Sequence, residues 1–306
     1  MLAAPNLARV PVGIGDDAAA WRPSRSNLSV ITTDALVEDV HFTRARFTFS
    51  QIGHRALASN LSDIAAMGAR PVLATVAIGV PDSLAPEHIV EIYRGIDALA
   101  RKTKTLIAGG DIVRAGKLML SITIVGEVRP SNLKRRSGGR PGDVLCVTGE
   151  LGASRAALDG SPLQEALAKH CTPDPRLAEG AWLAASTSVH AMMDLSDGIA
   201  MDAARMASAS CLAARIEGLP IAPSATQMAR SRGEDPLAYA LAGGEDFELL
   251  AAVAPRAFSH LSRRFEKRFG YGLRAIGALH EGSGVSVRNG QGFEPLAAGG
   301  WDHLAR

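Results

Sequence analysis

The sequence predicts an α/β (α+β) protein of two layered domains, and three observations lead there. Apolar runs of strand length alternate with segments of helical periodicity in both halves of the chain. Between Arg129 and Gly142 the composition changes to Arg, Lys, Ser, Gly and Pro, which divides the chain into domains 1–129 and 130–306. Short acid-bearing stretches, Gly13-Ile-Gly-Asp-Asp-Ala18, Thr32-Thr-Asp34, Gly109-Gly-Asp111 and Asp194-Leu-Ser-Asp-Gly198, stand beside apolar segments rather than in charged surface runs. A chain of 306 residues is long enough to bury two cores.

In order, Leu28 to Thr33 reads as a strand with Asp34 at its C-terminal end. Ser50 is placed as the N-cap of a helix carrying Ile52, Leu57, Leu61 and Ile64 on one face and stopping at Gly68, with Pro71 beyond. On that helix Asn60 and Asp63 are three residues apart and point the same way. Val72 to Val80 is a buried strand, and Pro86 to Lys102 a helix with Ile89, Ile92, Tyr93, Ile96 and Leu99 at helical spacing. Thr105 to Ala108 is a short strand ending at Gly109-Gly-Asp111, and Leu118 to Val128 puts Leu118, Leu120, Ile122 and Ile124 on one face. The second half opens with a strand at Asp143 to Thr148 and helices at 153–158 and 175–186. A strand then runs into Asp194, and Ser196 or Asp197 caps a helix from Ile199 to Ser208. Gly243-Gly-Glu-Asp246 leads into a strand from Phe247 to Val253, followed by a helix at 256–269 and several short strands.

Hydrophobic residues make up 47% of the chain and charged residues 21%, with a formal net charge of +2. That balance argues against a dedicated nucleic-acid binder, and the basic run Lys134-Arg-Arg136 is short and broken by Gly138-Gly139. No run of about 20 apolar residues predicts a membrane helix. The first eight residues lack the basic start and apolar core of a signal peptide. Cys146, Cys171 and Cys211 form no CxxC pair, so a cytoplasmic setting is expected, with neither disulfides nor zinc. Gly13-Ile-Gly15 fails as a dinucleotide loop because Ala18 stands for the third glycine; no P-loop occurs, because Gly116-Lys117 is followed by Leu118. The protein-kinase motif set is absent too.

Singly, Asp beside Gly is a common turn pair and Asp or Ser before a helix a common cap. As a set, Asp16, Asp17, Asp34, Asp63, Asp111, Asp194 and Asp197 would repel one another and lose hydration beside apolar cores. Hard divalent cations resolve that conflict, and oxygen donors favour magnesium, calcium or manganese over zinc. Thr32, Thr33 and Ser196 add oxygens, and the set reads as holding magnesium against the phosphates of a nucleotide. His41 reads on spacing alone as structural. Arg136 and Arg140 flank a glycine pair, which suits either a phosphate or a solvated linker.

The same residues carry a family resemblance. Gly13–Ala18, Thr32–Asp34, Val40-His-Phe42, Ala56–Ala69, Gly109–Asp111, Arg136-Ser-Gly138, Pro141-Gly-Asp143, Asp194–Gly198, Gly243–Asp246 and Gly300-Trp-Asp-His303 resemble, in order, the motifs of the thiamine-monophosphate kinase family. That family shares a superfamily with aminoimidazole ribonucleotide synthetase and selenophosphate synthetase. The resemblance implies two synthetase-like domains, the N-terminal one carrying metal and nucleotide residues and pairing in a homodimer. It implies magnesium ligands at Asp17, Thr32, Thr33, Asp34, Asp63, Asp111, Asp194 and Asp197. ATP contacts are implied at Gly110, Asp111, Arg136 and Ser196, and thiamine monophosphate contacts at His41, Glu245 and Trp301; for His41 this replaces the structural reading. The implied reaction passes the γ-phosphoryl group of ATP directly to thiamine monophosphate, giving thiamine diphosphate and ADP, with no general base because the acceptor phosphate has a second pKa of about 6. Two other readings stand beside it, a different ATP-dependent enzyme of the superfamily and a nucleotide-binding protein without catalysis. Three features depart from the family pattern. The segment before Gly13 is short, Lys102-Thr103 stands where relatives often carry an aromatic near adenine, and Trp301 replaces a more usual tyrosine.

Overall fold

Alternating buried and exposed residues build two sheets, each in its own packing unit. The computed structural model describes residues 9–14, 18–290 and 292–296. The first unit is made of Met1–Ile64, Gly68–Leu133 and Cys171–Leu177, the second of Ala65–Met67, Lys134–His170 and Ala178–Arg306. Among the described residues no helix is long and apolar enough to cross a membrane.

In the first unit, β1 (Leu28–Val37), β2 (Arg70–Val80), β3 (Leu106–Arg114) and β4 (Met119–Val128) form a sheet in the order β1-β4-β2-β3. Only β2 and β3 pair in parallel. Leu120, Ile122 and Ile124 of β4 alternate onto a fully buried face. Helix α1 (Phe49–Ala66) lies over that face, with Ile64 against Gly126, and α2 (Pro86–Thr103) packs on α1. The two helices approach closely enough that a Cβ at Gly53 would meet Ile92 O at 2.0 Å and one at Gly95 would meet Ser50 O at 1.9 Å.

Three sequence expectations change here. The cap of α1 is Thr48, not Ser50: Gln51 N–H donates to Thr48 Oγ1 (3.2 Å) and Thr48 N–H to Gln51 Oε1 (2.9 Å), a capping box that leaves Ser50 inside the helix. Asp34 is not at a strand end, because the ladder with β4 continues from Asp34↔Ile122 to Val37↔Met119. Asp111 likewise lies within β3, which pairs with β2 as far as Arg114. The apolar pattern stops where burial stops, whereas the hydrogen-bonded ladder runs on.

The other face of this sheet is partly covered near Val10 and Ala19, where Val10, Leu73, Ala108 and Val125 make a small core with Ala19 and Leu106. Val12 and Ala20 form an antiparallel bridge (Ala20 N–H to Val12 O, 2.9 Å). Glu127, 2% exposed, ties this segment down by accepting from Arg9, from Ser24 N–H (3.0 Å) and from Asn27 (3.4 Å).

In the second unit, β5 (Val144–Val147), β6 (Val189–Asp194), β7 (Ala213–Ile216), β8 (Leu249–Val253), β9 (Arg274–His280), β10 (Val285–Asn289) and β11 (Gly292–Pro295) form a sheet in the order β11-β10-β7-β9-β5-β8-β6. Leu145, Val147, Ala191, Met193, Leu250 and Ala252 alternate into one core with α6 (Ile199–Ala209). The remaining helices are α3 (Ala153–Leu158), α4 (Gln164–Cys171), α5 (Leu177–Ala184), α7 (Pro223–Ser231), α8 (Pro236–Leu241) and α9 (Pro255–Phe269). Sequence periodicity gives no sign of α4, α7 or α8, which span six to nine residues each.

Candidate functional site

In the first unit the acids divide between the two faces of the sheet. Thr32 and Asp34 share the face under α1. There Thr32 Oγ1 donates to Asp63, and Asp34 N–H donates to Asn60 Oδ1 at 3.0 Å. Asn60 is fully buried and turns its amide nitrogen to Ala56 O (3.0 Å), so Asn60 and Asp63 do look the same way along α1. Thr33 points to the opposite face, where its hydroxyl accepts from Thr123 (3.1 Å). Register places Asp111 there as well. The row Asp34–Ile122–Val76–Gly110 belongs to the α1 face, and the next row, Ala35–Ser121–Ala77–Asp111, to the other. Asp111 accepts from the Ile112 N–H at 2.9 Å. Gly110 is fixed by steric need, since a Cβ would fall 2.0 Å from Val76 O.

His41 sits in the turn after β1 and accepts the Val37 N–H at Nδ1 (3.1 Å), which leaves the ring proton on Nε2. Asp39, at φ 63°, shapes that turn. Lys102 pairs with Asp174 (2.6 Å), and Thr103 bonds back to Leu99 O and Thr105, so neither offers a flat ring surface.

In the second unit two loops run side by side. Leu195 N–H donates to Glu248 O (2.8 Å), Phe247 N–H to Leu195 O (2.9 Å) and Glu245 N–H to Ser196 O (2.7 Å). This zipper brings Asp194, Ser196 and Asp197 beside Glu245. Asp194, the last residue of β6, is 3% exposed. Glu245 (φ 61°) and Phe247 (φ 48°) both hold the left-handed conformation, uncommon for such side chains and concentrated at functional loops.

Neither Ser196 nor Asp197 caps α6. Gly198, at φ 110°, takes the cap position, and the capping carboxylate comes from within the helix, Asp202 accepting from Ser196 N–H (3.1 Å) and Asp197 N–H (3.2 Å). Burial first, and then the Asp197 charge, push Asp202 up to about 6. Arg205 bridges Asp197 and Asp202. Below Glu245, Asp246 is buried and accepts from Gly152 N–H (2.7 Å) and Ser154 N–H (3.2 Å); burial raises it to about 6.

The segment carrying Arg136 is a fixed loop rather than a solvated linker. Met192 N–H donates to Arg135 O (3.0 Å), Gly139 N–H to Ser210 Oγ (3.1 Å) and Ser210 Oγ to Arg136 O (3.3 Å). Asp143 accepts from Arg140 N–H (2.8 Å) and from His190.

Of the residues expected from the sequence, Asp16, Asp17 and Trp301 lie outside the described residues. Among the others, Thr32, Asp34, Asp63 and Gly110 lie on one face of the first sheet, Thr33 and Asp111 on the other, and Asp194, Ser196, Asp197 and Glu245 in the paired loops, while His41 stands in the turn after β1 and Arg136 in the loop bonded to Ser210. Among the described residues no three His, Cys, Asp or Glu side chains gather into a cation site. The donors present are nonetheless all oxygen, which suits a hard cation in kind. Sequence reasoning missed Ser154, Lys169, His170, Asp202 and Arg205. One signal was present, since Glu245, Asp246 and Glu248 run into an apolar strand and buried acids need partners.

Residues 15–128 match the AIR synthase related protein N-terminal domain, and residues 140–288 the C-terminal domain. The chain is 42% identical over 259 residues to the thiamine-monophosphate kinase of Rhodopirellula baltica, an alignment covering 81% of this chain and 78% of that protein. Its fold is similar to the crystal structure of thiamine-monophosphate kinase from Stenotrophomonas maltophilia K279a (TM-score 0.84, 32% identity, 92% of each chain). It is also similar to AaThiL complexed with AMPPCP and TMP (TM-score 0.80, 30% identity, 95% of this chain and 92% of that one).

Proposed function

Because the chain belongs to the thiamine-monophosphate kinase family of AIR synthase related proteins, we infer that it transfers the γ-phosphoryl group of ATP to thiamine monophosphate, giving thiamine diphosphate and ADP. The observation that carries this is the 42% identity to a family member across both domains.

Donor and acceptor are both anions, so their mutual repulsion is the chief obstacle. In the proposed arrangement Asp17, Thr32, Thr33, Asp34, Asp63, Asp111, Asp194 and Asp197 are the residues that would hold magnesium. When bound, magnesium neutralises phosphate charge and aligns the attacking and leaving oxygens. Thr33 and Asp111 enter this arrangement from the sheet face opposite Thr32 and Asp34, where the Thr33 hydroxyl accepts from Thr123. Gly110, Asp111, Arg136 and Ser196 bind ATP, with the Arg136 guanidinium meeting phosphate oxygens; the fixed loop around Gly138-Gly139 supports that role. His41, Glu245 and Trp301 bind thiamine monophosphate, Glu245 opposite the cationic thiazolium. The acceptor phosphate is already largely deprotonated, so no side chain removes a proton.

A homodimer paired through the first unit belongs to the same proposal. The support is an open sheet face on which Ile31 is 70% and Met119 37% exposed. A reducing cytoplasm is proposed as its setting, in keeping with three free thiols at Cys146, Cys171 and Cys211. The roles are tested with Asp111→Asn and Asp194→Asn in purified protein. Both are expected to lower transfer at least 100-fold with unchanged far-UV circular dichroism, and near-normal turnover in both contradicts the metal assignment.

A further inference from the structure

Each acid of the loop that carries Glu245 has its own partner from residues 148–170. Asp246 takes the N–H groups of Gly152 and Ser154. Glu248 accepts from Thr148 Oγ1 (2.6 Å) and pairs with Lys169. Glu245, with its side chain 32% exposed, has an oxygen 3.9 Å from Nδ1 of His170, and that nitrogen lies 2.9 Å from Ser154 Oγ. His170 is 4% exposed and Ser154 1%, so both stand behind Glu245 rather than in solvent.

The electrostatics choose the tautomer. A carboxylate 3.9 Å away favours a proton over a lone pair on Nδ1, and that Nδ1–H donates to Ser154 Oγ, so the protonated edge of the ring lies beside Glu245 without being bonded to it. Glu245 needs such a hold, because it follows Gly243-Gly244 and sits at φ 61°. Lys169 and His170 are adjacent in the last turn of α4, so one short helix grips the loop at Glu248 and at Glu245.

We propose that His170 is a positioning residue: with Ser154 it holds the Glu245 carboxylate in the orientation that receives the cationic ring of the acceptor substrate. This rests on the reading of Glu245 as a substrate contact. Nothing in the pairing bears on ATP, so its effect is confined to the acceptor.

Steady-state kinetics of the full chain test it. His170→Ala is expected to raise KM for thiamine monophosphate about tenfold, with kcat and KM for ATP within twofold of wild type. His170→Asn, whose amide N–H can stand where Nδ1–H stood, is expected to restore most of that loss. In the double variant with Glu245→Gln, His170→Ala is expected to add nothing to the Glu245→Gln effect. Equal rises in both KM values, additive effects in the double variant, or no rescue by Asn would overturn the proposal. If Glu245→Gln alone leaves KM for thiamine monophosphate unchanged, the substrate-contact reading fails and takes this proposal with it. If Glu245→Gln is impaired and His170→Ala is not, only the positioning role fails. Should His170→Ala be too unstable to assay, Ser154→Ala decides, with an expected rise of about threefold and an unchanged KM overturning the role.

Discussion

The Glu127 carboxylate binds Arg9, the Ser24 N–H, Asn27 and, at 3.2 Å, Arg70. Burial alone would raise its pKa, but the bonds from Arg9, Ser24 and Asn27 outweigh burial and hold it at about 2, against 4.5 in an unfolded chain. A folded-state pKa below the unfolded one stabilises fully above about pH 4.5 and fades as pH falls toward 2. Glu127→Gln is therefore expected to lower stability to urea by about 2 kcal/mol near pH 7, with the gap from wild type closing below about pH 4. A gap that stays constant down to about pH 3 contradicts this reading. At this scale much was legible. Helical spacing alone put Asn60 and Asp63 on one side of α1, and both turn to β1. Thr32 and Thr33 look alike as oxygen donors in the sequence, yet strand alternation sends them to opposite faces, Thr32 to Asp63 and Thr33 to Thr123. The Asp197–Arg205–Asp202 bridge and the His170–Ser154 pair had no short-range signal; partners 8 and 16 residues apart meet only through α6 and the packing of α3 on α4.

Capping errors and strand-end errors share a cause at the scale of elements. A side chain reads as a cap from its position beside an apolar pattern, yet the cap is decided by where backbone N–H groups lack partners. Thr48 with Gln51 meets that need for α1, and Asp202 meets it for the Ser196 and Asp197 N–H groups ahead of α6. Thr48→Ala is expected to cost about 1 kcal/mol in thermal or urea unfolding, and Ser50→Ala less than about 0.5 kcal/mol. The reverse ranking contradicts the Thr48 cap. The long elements α1, α2, β2, β4 and α9 are plain in the sequence because their apolar periods persist over ten or more residues. Strand β8 begins at Leu249 rather than Phe247, because the zipper with Leu195 forces Phe247 to a positive φ.

For the whole molecule, the first sheet leaves one face partly bare, with Ile31, Thr33 and Ala35 of β1 in register with Val125, Thr123 and Ser121 of β4. In the proposed homodimer a second copy would cover that face, where Ile31 is left 70% exposed on a strand. Sedimentation of the wild-type chain is expected to give a dimer and Ile31→Asp a monomer, whereas a monomeric wild type contradicts the pairing. Fold class and activity are legible in ten short motifs, and at Gly110 and Gly198 the motif joins a backbone need for glycine to a charged neighbour, Asp111 and Asp197. The grouping of the acids into three sets depends on register and loop pairing, which short motifs do not encode.

The most direct measurement is a single-turnover reaction of the purified chain with ATP, magnesium and thiamine monophosphate, following both products. Thiamine diphosphate and ADP are expected to form together in equal amounts, with neither formed when thiamine monophosphate is left out. ADP without thiamine diphosphate, or bound ATP that is never turned over, would contradict phosphoryl transfer to thiamine monophosphate as the activity of this protein.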